Sequence, residues 1–198
     1  DRTVSRGLGD VYKRQMIGMH NIRNATAAIS LAFTIGLPEK CIKAGIYNFK
    51  GVQRRFSHLF DYNNISFYDD YAHHPTEISS VLSGVEKVYK NKEIVCVFQP
   101  HRISRVISLK KEFSKCFKKA DTVLLCPIYA ANEKLKLNFT YHSFAKLIIK
   151  NSNVRLIQVE NELQLQKFIK QNVFGEKIYI GMGAGSISNW MKNLKNIF

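Results

Sequence analysis

Between Ile94 and Ile180 the sequence repeats one rhythm: a short apolar run, a polar turn, then a stretch of helical period. The runs are Ile94-Val95-Cys96-Val97-Phe98, Thr122-Val123-Leu124-Leu125-Cys126, Val154-Arg155-Leu156-Ile157 and Lys177-Ile178-Tyr179-Ile180. Runs this short read as strands, and strands apolar on both faces belong to a parallel sheet covered on both sides. Helical stretches fall at about 75–89, 104–119, 141–150, 162–171 and 186–194. Such alternation gives an α/β class, with a mostly parallel sheet and helices on both faces. One more strand precedes the series at Ile65–Tyr68. The alternating stretch Arg55–Phe60 pairs with it across the turn Tyr62-Asn63-Asn64.

The polar turns after the strands gather the chemistry. In open α/β sheets ligands bind outside the C-terminal ends of the strands. Phe67-Tyr68-Asp69-Asp70-Tyr71-Ala72-His73-His74-Pro75-Thr76-Glu77 lies at such an end and runs into a helix start at Pro75. Capping alone accounts for any one of these residues, but not for Asp-Asp and His-His together. Gln99-Pro100-His101-Arg102-Ile103-Ser104-Arg105 follows the next strand. Arg102 and Arg105, three apart at a helix start, form an anion site beside helix N-terminal amides. Ile128-Tyr129-Ala130-Ala131-Asn132-Glu133 reads equally as a loop with a helix cap. Gly181-Met182-Gly183-Ala184-Gly185-Ser186 lacks the G-x-G-x-x-G spacing and reads as a tight strand-to-helix turn. No G-x-x-x-x-G-K-[ST] occurs, so the chain has no recognisable site of its own for the β- and γ-phosphates of ATP.

Upstream the organisation differs. Residues 1–15, DRTVSRGLGDVYKRQ, have no apolar period and read as a leader foreign to the fold. Residues 16–50 hold two helices. The first opens near His20 and Asn21 and runs to Gly36 through an alanine-rich stretch apolar almost all round, as for a helix packed on both sides. The second starts at Leu37-Pro38-Glu39, with Ile42, Ala44, Ile46 and Phe49 on its buried side. Gly51 closes this unit, and 51–198 form the sheet domain. The formal charge of +15 comes largely from lysines scattered over helix faces. It favours solvated faces first and a phosphorylated ligand next, with nucleic acid last. No run approaches a membrane span. The cysteines, without C-x-x-C spacing, read as small buried thiols of a reducing compartment.

The stretches GMHNIRNATAAI, FKGVQRRF, YDDYAHHPTEI, VFQPHRISR, IYAANE and GMGAGSI, in that order, resemble the Mur ligase family. They cover essentially all of residues 16–198, and FQPHR looks most like the branch that joins L-alanine to UDP-N-acetylmuramate. The resemblance implies a cytoplasmic, ATP- and Mg²⁺-dependent amide-forming ligase of peptidoglycan synthesis. In that family a UDP-binding domain and a P-loop ATPase domain precede a Rossmann-like C-terminal domain. Residues 16–50 would then be the last two helices of the ATPase domain, and 51–198 the C-terminal domain. His20, Asn21 and Asn24 would lie near adenine, and Arg55, ahead of Arg54, with Asp70 near the ribose and phosphates. Tyr71, His73, Arg102 and Arg105 would face the muramoyl substrate and incoming amino acid, while His74 and Asp69 support the turn. No metal ligand is assigned within this stretch. Ser186 and Asn132 depart from the family's usual Asp and Gly. Alone, without its missing domains as partners, such a chain is expected not to ligate. The competing expectations are a stand-alone nucleotide- or anion-binding module, the related ligase that attaches a recycled tripeptide, and a metal-dependent hydrolase on Asp69, Asp70, His73 and His74.

Overall fold

A computed structural model of the chain describes residues 19–49, 51–134 and 140–198, with the side chains of residues 19 and 20 left out. The leader expected at 1–15 and the side chain of His20 therefore lie outside the described residues. The chain divides into two units, one ending at Gln53 and one running from Arg54 to Phe198.

In the first unit, α1 (Met19–Thr34) and α2 (Glu39–Asn48) are helices. Gly36, at φ +79°, reverses the chain between them, and Pro38 stands at the N-cap of α2. The expectation of a helix packed on both sides is not met. Leu31 and Ile35 are 63% and 66% exposed, and Phe33, Tyr47 and Phe49 are also exposed. Of the expected buried side of α2, Ile42 is buried. The reason is geometric: two helices of 16 and 10 residues cannot cover an apolar surface that runs all round one of them. Cys41, expected inside, is exposed, whereas Cys96, Cys116 and Cys126 are buried free thiols.

The second unit is a six-stranded sheet with its helices. The hairpin β1 (Ser57–Tyr62) and β2 (Ile65–Asp70) turns at Asn63, where φ is +51°. Then follow α3 (Pro75–Val88), β3 (Glu93–Phe98), α4 (Ile103–Ser108), α5 (Lys110–Lys115), β4 (Thr122–Leu125), α6 (Tyr141–Ser152), β5 (Arg155–Gln158), α7 (Glu162–Gln171), β6 (Lys177–Met182) and α8 (Ile187–Asn193). The sheet order is β1-β2-β6-β3-β4-β5, antiparallel at β1–β2 and parallel everywhere else. The expected α/β sheet is thus present.

Crossovers from β2 to β3, β3 to β4 and β4 to β5 step in one direction, whereas β5 to β6 steps back. Right-handed connections therefore place α3 through α6 on one face and α7 on the other. Side chains agree. Phe67, Val95, Val97, Leu124 and Tyr179 pack with Leu165 and Ile169 of α7 and Ile187 and Met191 of α8. On the opposite face Phe98 meets Phe113 and Phe117, and Phe113 meets Phe144 of α6.

Two elements depart most from the sequence reading. The helix expected over 104–119 breaks at Leu109 (φ −109°, ψ 24°) into α4 and α5. The break lets Ile103 and Val106 as well as Phe113 reach the interior. Strand β1 starts at Ser57 rather than Arg55 because Arg54 and Phe56 have positive φ (59° and 49°), which extended pairing does not accommodate.

Candidate functional site

The C-terminal ends of β2, β6, β3 and β4 are neighbours in the sheet. Strand β6, last in sequence, lies between β2 and β3. The chain therefore leaves β2 and β3 on either side of the glycine turn that follows β6, which is the position of a topological switch point.

The turn after β2 is held by carboxylates and a cap. Asp70 accepts the amide N–H of Phe56 on Oδ2 and that of Ala72 on Oδ1, both at 2.7 Å. Burial pushes its carboxyl up to about 6, and the opposing pull of those amides and of Arg55 does not cancel it. His74 caps α3: its Nδ1 accepts the Thr76 amide while Glu77 Oε2 accepts the His73 and His74 amides, a reciprocal capping box. The support role expected of His74 is this cap. His73 Nδ1 lies 2.9 Å from the Tyr71 carbonyl. A carbonyl only accepts, so Nδ1 carries a proton and donates it there.

The turn after β3 faces it. The His73 and His101 rings lie 6.1 Å apart, Tyr71 meets His73 edge-on at 5.1 Å, and His101 stacks on Tyr129 at 5.5 Å. Arg105 Nη1 donates to His101 Nδ1 at 3.3 Å. Partial burial and the charges of Arg105, His73 and Arg102 hold the His101 imidazole below its ordinary value, which keeps Nδ1 free to accept. Arg102 is exposed and adopts φ +67°, between an amide that donates to the Tyr129 carbonyl and the start of α4. Glu133, reaching across from the loop after β4, accepts the Ser104 amide and hydroxyl at 2.8 and 2.7 Å. This cap fixes the helix that presents both arginines.

The glycine turn after β6 packs against Gln99. A Cβ on Gly183, where φ is +150°, would sit 2.7 Å from the Gln99 carbonyl, and one on Gly185 would sit 2.5 Å from Gln99 Oε1 and 2.6 Å from the Tyr129 ring. Gln99 Nε2 donates to Ser186 Oγ and its Oε1 accepts the Ile187 amide, both at 3.0 Å. Ser186 therefore ties the glycine turn to the turn after β3.

The structure thus brings Tyr71, His73, Arg102 and Arg105 to one edge, with Asp70 buried beneath it. Arg55 is exposed, whereas Arg54 points into the turn network: its Nη2 donates to the Gly183 carbonyl at 2.5 Å and its guanidinium lies 4.6 Å from the Tyr71 ring. In the other unit Asn21 is buried and Asn24 exposed. Sequence reasoning passed over Gln99, Tyr129 and Ser188 as separate contributors. Gln99 and Tyr129 did stand in the polar turns already singled out; nothing local distinguished Ser188. Among the described residues no group of three or more His, Cys, Asp or Glu side chains comes together to hold a metal ion.

The family described as "Mur ligase, glutamate ligase domain" matches residues 54–176. The chain belongs to the Mur ligase family. It is 60% identical over 185 residues to the UDP-N-acetylmuramate–L-alanine ligase of Pelagibacter ubique, covering 93% of this chain and 40% of that one. It is 37% identical over 175 residues to the enzyme of that name from Mesorhizobium japonicum, covering 88% of this chain and 37% of that one. The chain thus spans about two fifths of the length of the curated relatives it matches. Among solved structures, UDP-N-acetylmuramate–alanine ligase from Thermotoga maritima superposes with a TM-score of 0.70 at 29% identity, over 90% of this chain and 37% of that one. A murein peptide ligase from Psychrobacter arcticus, at 22% identity and a TM-score of 0.66 over 92% of this chain and 38% of that one, shares the fold.

Proposed function

We propose that this chain is the C-terminal part of an ATP-dependent ligase that joins L-alanine to UDP-N-acetylmuramate. The observation that carries the reading is the 60% identity to a ligase of that name along 185 residues, 93% of this chain. In the proposed reaction ATP phosphorylates the muramoyl carboxylate, the alanine amine forms the amide bond, and phosphate leaves with its bonding electrons. Both the acyl phosphate and the tetrahedral species after it are strongly anionic, and so is the alanine carboxylate.

The edge suits that charge. Arg102 and Arg105 hold an anionic group at the start of α4, and Arg105 is braced by His101. His73, its ring held by the Tyr71 carbonyl, and Tyr71 orient the amine and muramoyl group. Asp70 already accepts two amides, yet each carboxylate oxygen has a second lone pair for a ribose hydroxyl. Exposed Arg55 supplies charge to the phosphates. The Mg²⁺ implied by the family finds no cradle of three or more His, Cys, Asp or Glu side chains among the described residues of this chain. Consumption of ATP and a UDP-sugar points to the cytoplasm; no described helix is long and apolar enough to cross a membrane.

The test is a chimera in which residues 16–198 replace the matching part of the Pelagibacter ubique ligase. We expect ADP release that requires UDP-N-acetylmuramate and L-alanine together. A folded chimera that releases no ADP with L-alanine beside an active parent, or that prefers the tripeptide, overturns the reading.

A further inference from the structure

The adjacent aspartates at the end of β2 do different work. Asp70 accepts the backbone amides of Phe56 and Ala72. Asp69 shares a face with Ile65 and Phe67, because alternate strand residues point the same way, and α8 covers that face. Asp69 is 1% exposed. A carboxylate this deep persists only where hydrogen bonds and opposite charge compensate it. Ser188, in the first turn of α8, donates its hydroxyl to Asp69 Oδ2 at 2.6 Å. Arg54 Nε stands 3.6 Å from the same oxygen. The polar side-chain atoms buried without a hydrogen-bond partner, among the described residues, are Arg54 Nε and Asp69 Oδ1. The buried Nε of Arg54 thus faces the enclosed carboxylate of Asp69 at 3.6 Å, beyond direct hydrogen-bond distance.

Arg54 is tied to the substrate edge three ways. Its Nη2 donates to the Gly183 carbonyl at 2.5 Å. Its guanidinium lies 4.6 Å from the centroid of the Tyr71 ring. Its carbonyl accepts the Tyr71 amide at 2.7 Å. Its backbone holds φ +59°, a conformation that costs a non-glycine residue energy and lasts only where its surroundings enforce it.

We propose that Asp69 and Ser188 are positioning residues that fix Arg54, and through Arg54 the Tyr71 ring and the Gly183 turn, at the site where substrate is held. The proposal rests on the reading that Tyr71 faces substrate. A lysine at position 54 keeps the charge but has neither the planar face for Tyr71 nor a fork that reaches Gly183 and Asp69 at once. Asp69→Asn keeps an acceptor for Ser188 and removes the charge opposite Arg54.

The test has two arms. In the full 198-residue chain, NMR follows the Arg54 Nε–H, assigned by its loss in Arg54→Lys, together with the Tyr71 ring signals. The enclosed Nε–H is expected to exchange slowly with water. Asp69→Asn should speed that exchange by about tenfold or more and move the Tyr71 ring signals, and Ser188→Ala should do both less strongly, as loss of a charge-assisted contact implies. In the chimera, Asp69→Asn should raise the KM for UDP-N-acetylmuramate or L-alanine by roughly tenfold while that for ATP stays within about twofold. Unchanged Arg54 exchange and Tyr71 signals in folded Asp69→Asn and Ser188→Ala chains overturn the proposal. An inactive unsubstituted chimera leaves the NMR arm intact and counts against the ligase reading instead. If Asp69→Asn does not fold, the Arg54 exchange and Tyr71 signals of Ser188→Ala decide the matter alone.

Discussion

The helix pair at 19–48 and the sheet domain at 54–198 are both written in strongly apolar sequence, yet they use it in opposite ways. In the sheet domain Phe67, Phe98, Phe113 and Phe144 are fully enclosed, and the inner strands β4 and β6 are buried along their whole length. In the helix pair Leu31, Phe33 and Ile35 lie open to solvent. The difference is one of closure. A sheet whose crossovers cover both faces buries its apolar residues within one chain segment, whereas an apolar helix pair buries them only against something else. Apolar periodicity therefore states what a segment needs, not what this chain supplies.

The strongest way to break the comparison is to open a cavity in the sheet domain. Phe67 stacks on Phe60 and Tyr179 at 4.4 and 5.1 Å. Phe67→Ala should cost about 3–5 kcal/mol in denaturant unfolding, and a loss below about 1 kcal/mol would mean that the core is not closed as described.

Asp70 sharpens the picture through pH. Its carboxyl is raised from 3.8 to about 6 by burial, so the folded chain binds this proton more tightly than the unfolded one. Stability from this group is full below about pH 4 and falls as pH rises to about 6, by roughly 3 kcal/mol at most. Asp70→Asn should flatten that part of the stability curve, and an unchanged slope would show that Asp70 does not titrate there.

Smaller is the cap on α3. His74→Ala removes the acceptor of the Thr76 amide and should lower stability by about 1 kcal/mol. Smallest of all, Phe33→Gln in the open helix pair should change the unfolding of the sheet domain by less than about 0.5 kcal/mol. A loss comparable with that of Phe67→Ala would erase the distinction between the two units.

Much of the fold was legible because parallel strands buried on both faces are continuous apolar runs. Strand order was not: nothing local in Lys177–Met182 says that it inserts between β2 and β3. The edge residues Tyr71, His73, Arg102 and Arg105 stood out because polar clusters directly after buried strands are unusual. The roles within the Arg54-Arg55 pair were illegible for a backbone reason. Positive φ at Arg54 and Phe56 breaks the alternation that decides which side chain turns inward. Ser188 was hidden because its partner, Asp69, is 119 residues away.

The central claim is that the C-terminal edge of the sheet domain holds the anionic substrates. The measurement that tests it most directly is the kinetics of the Pelagibacter chimera carrying Arg102→Ala and Arg105→Ala together. The account predicts a loss of about a hundredfold or more in kcat/KM for UDP-N-acetylmuramate or L-alanine, as expected when charge-assisted contacts to an anion are removed, with the KM for ATP little changed. Turnover within about twofold of the unsubstituted chimera for both substrates would contradict it.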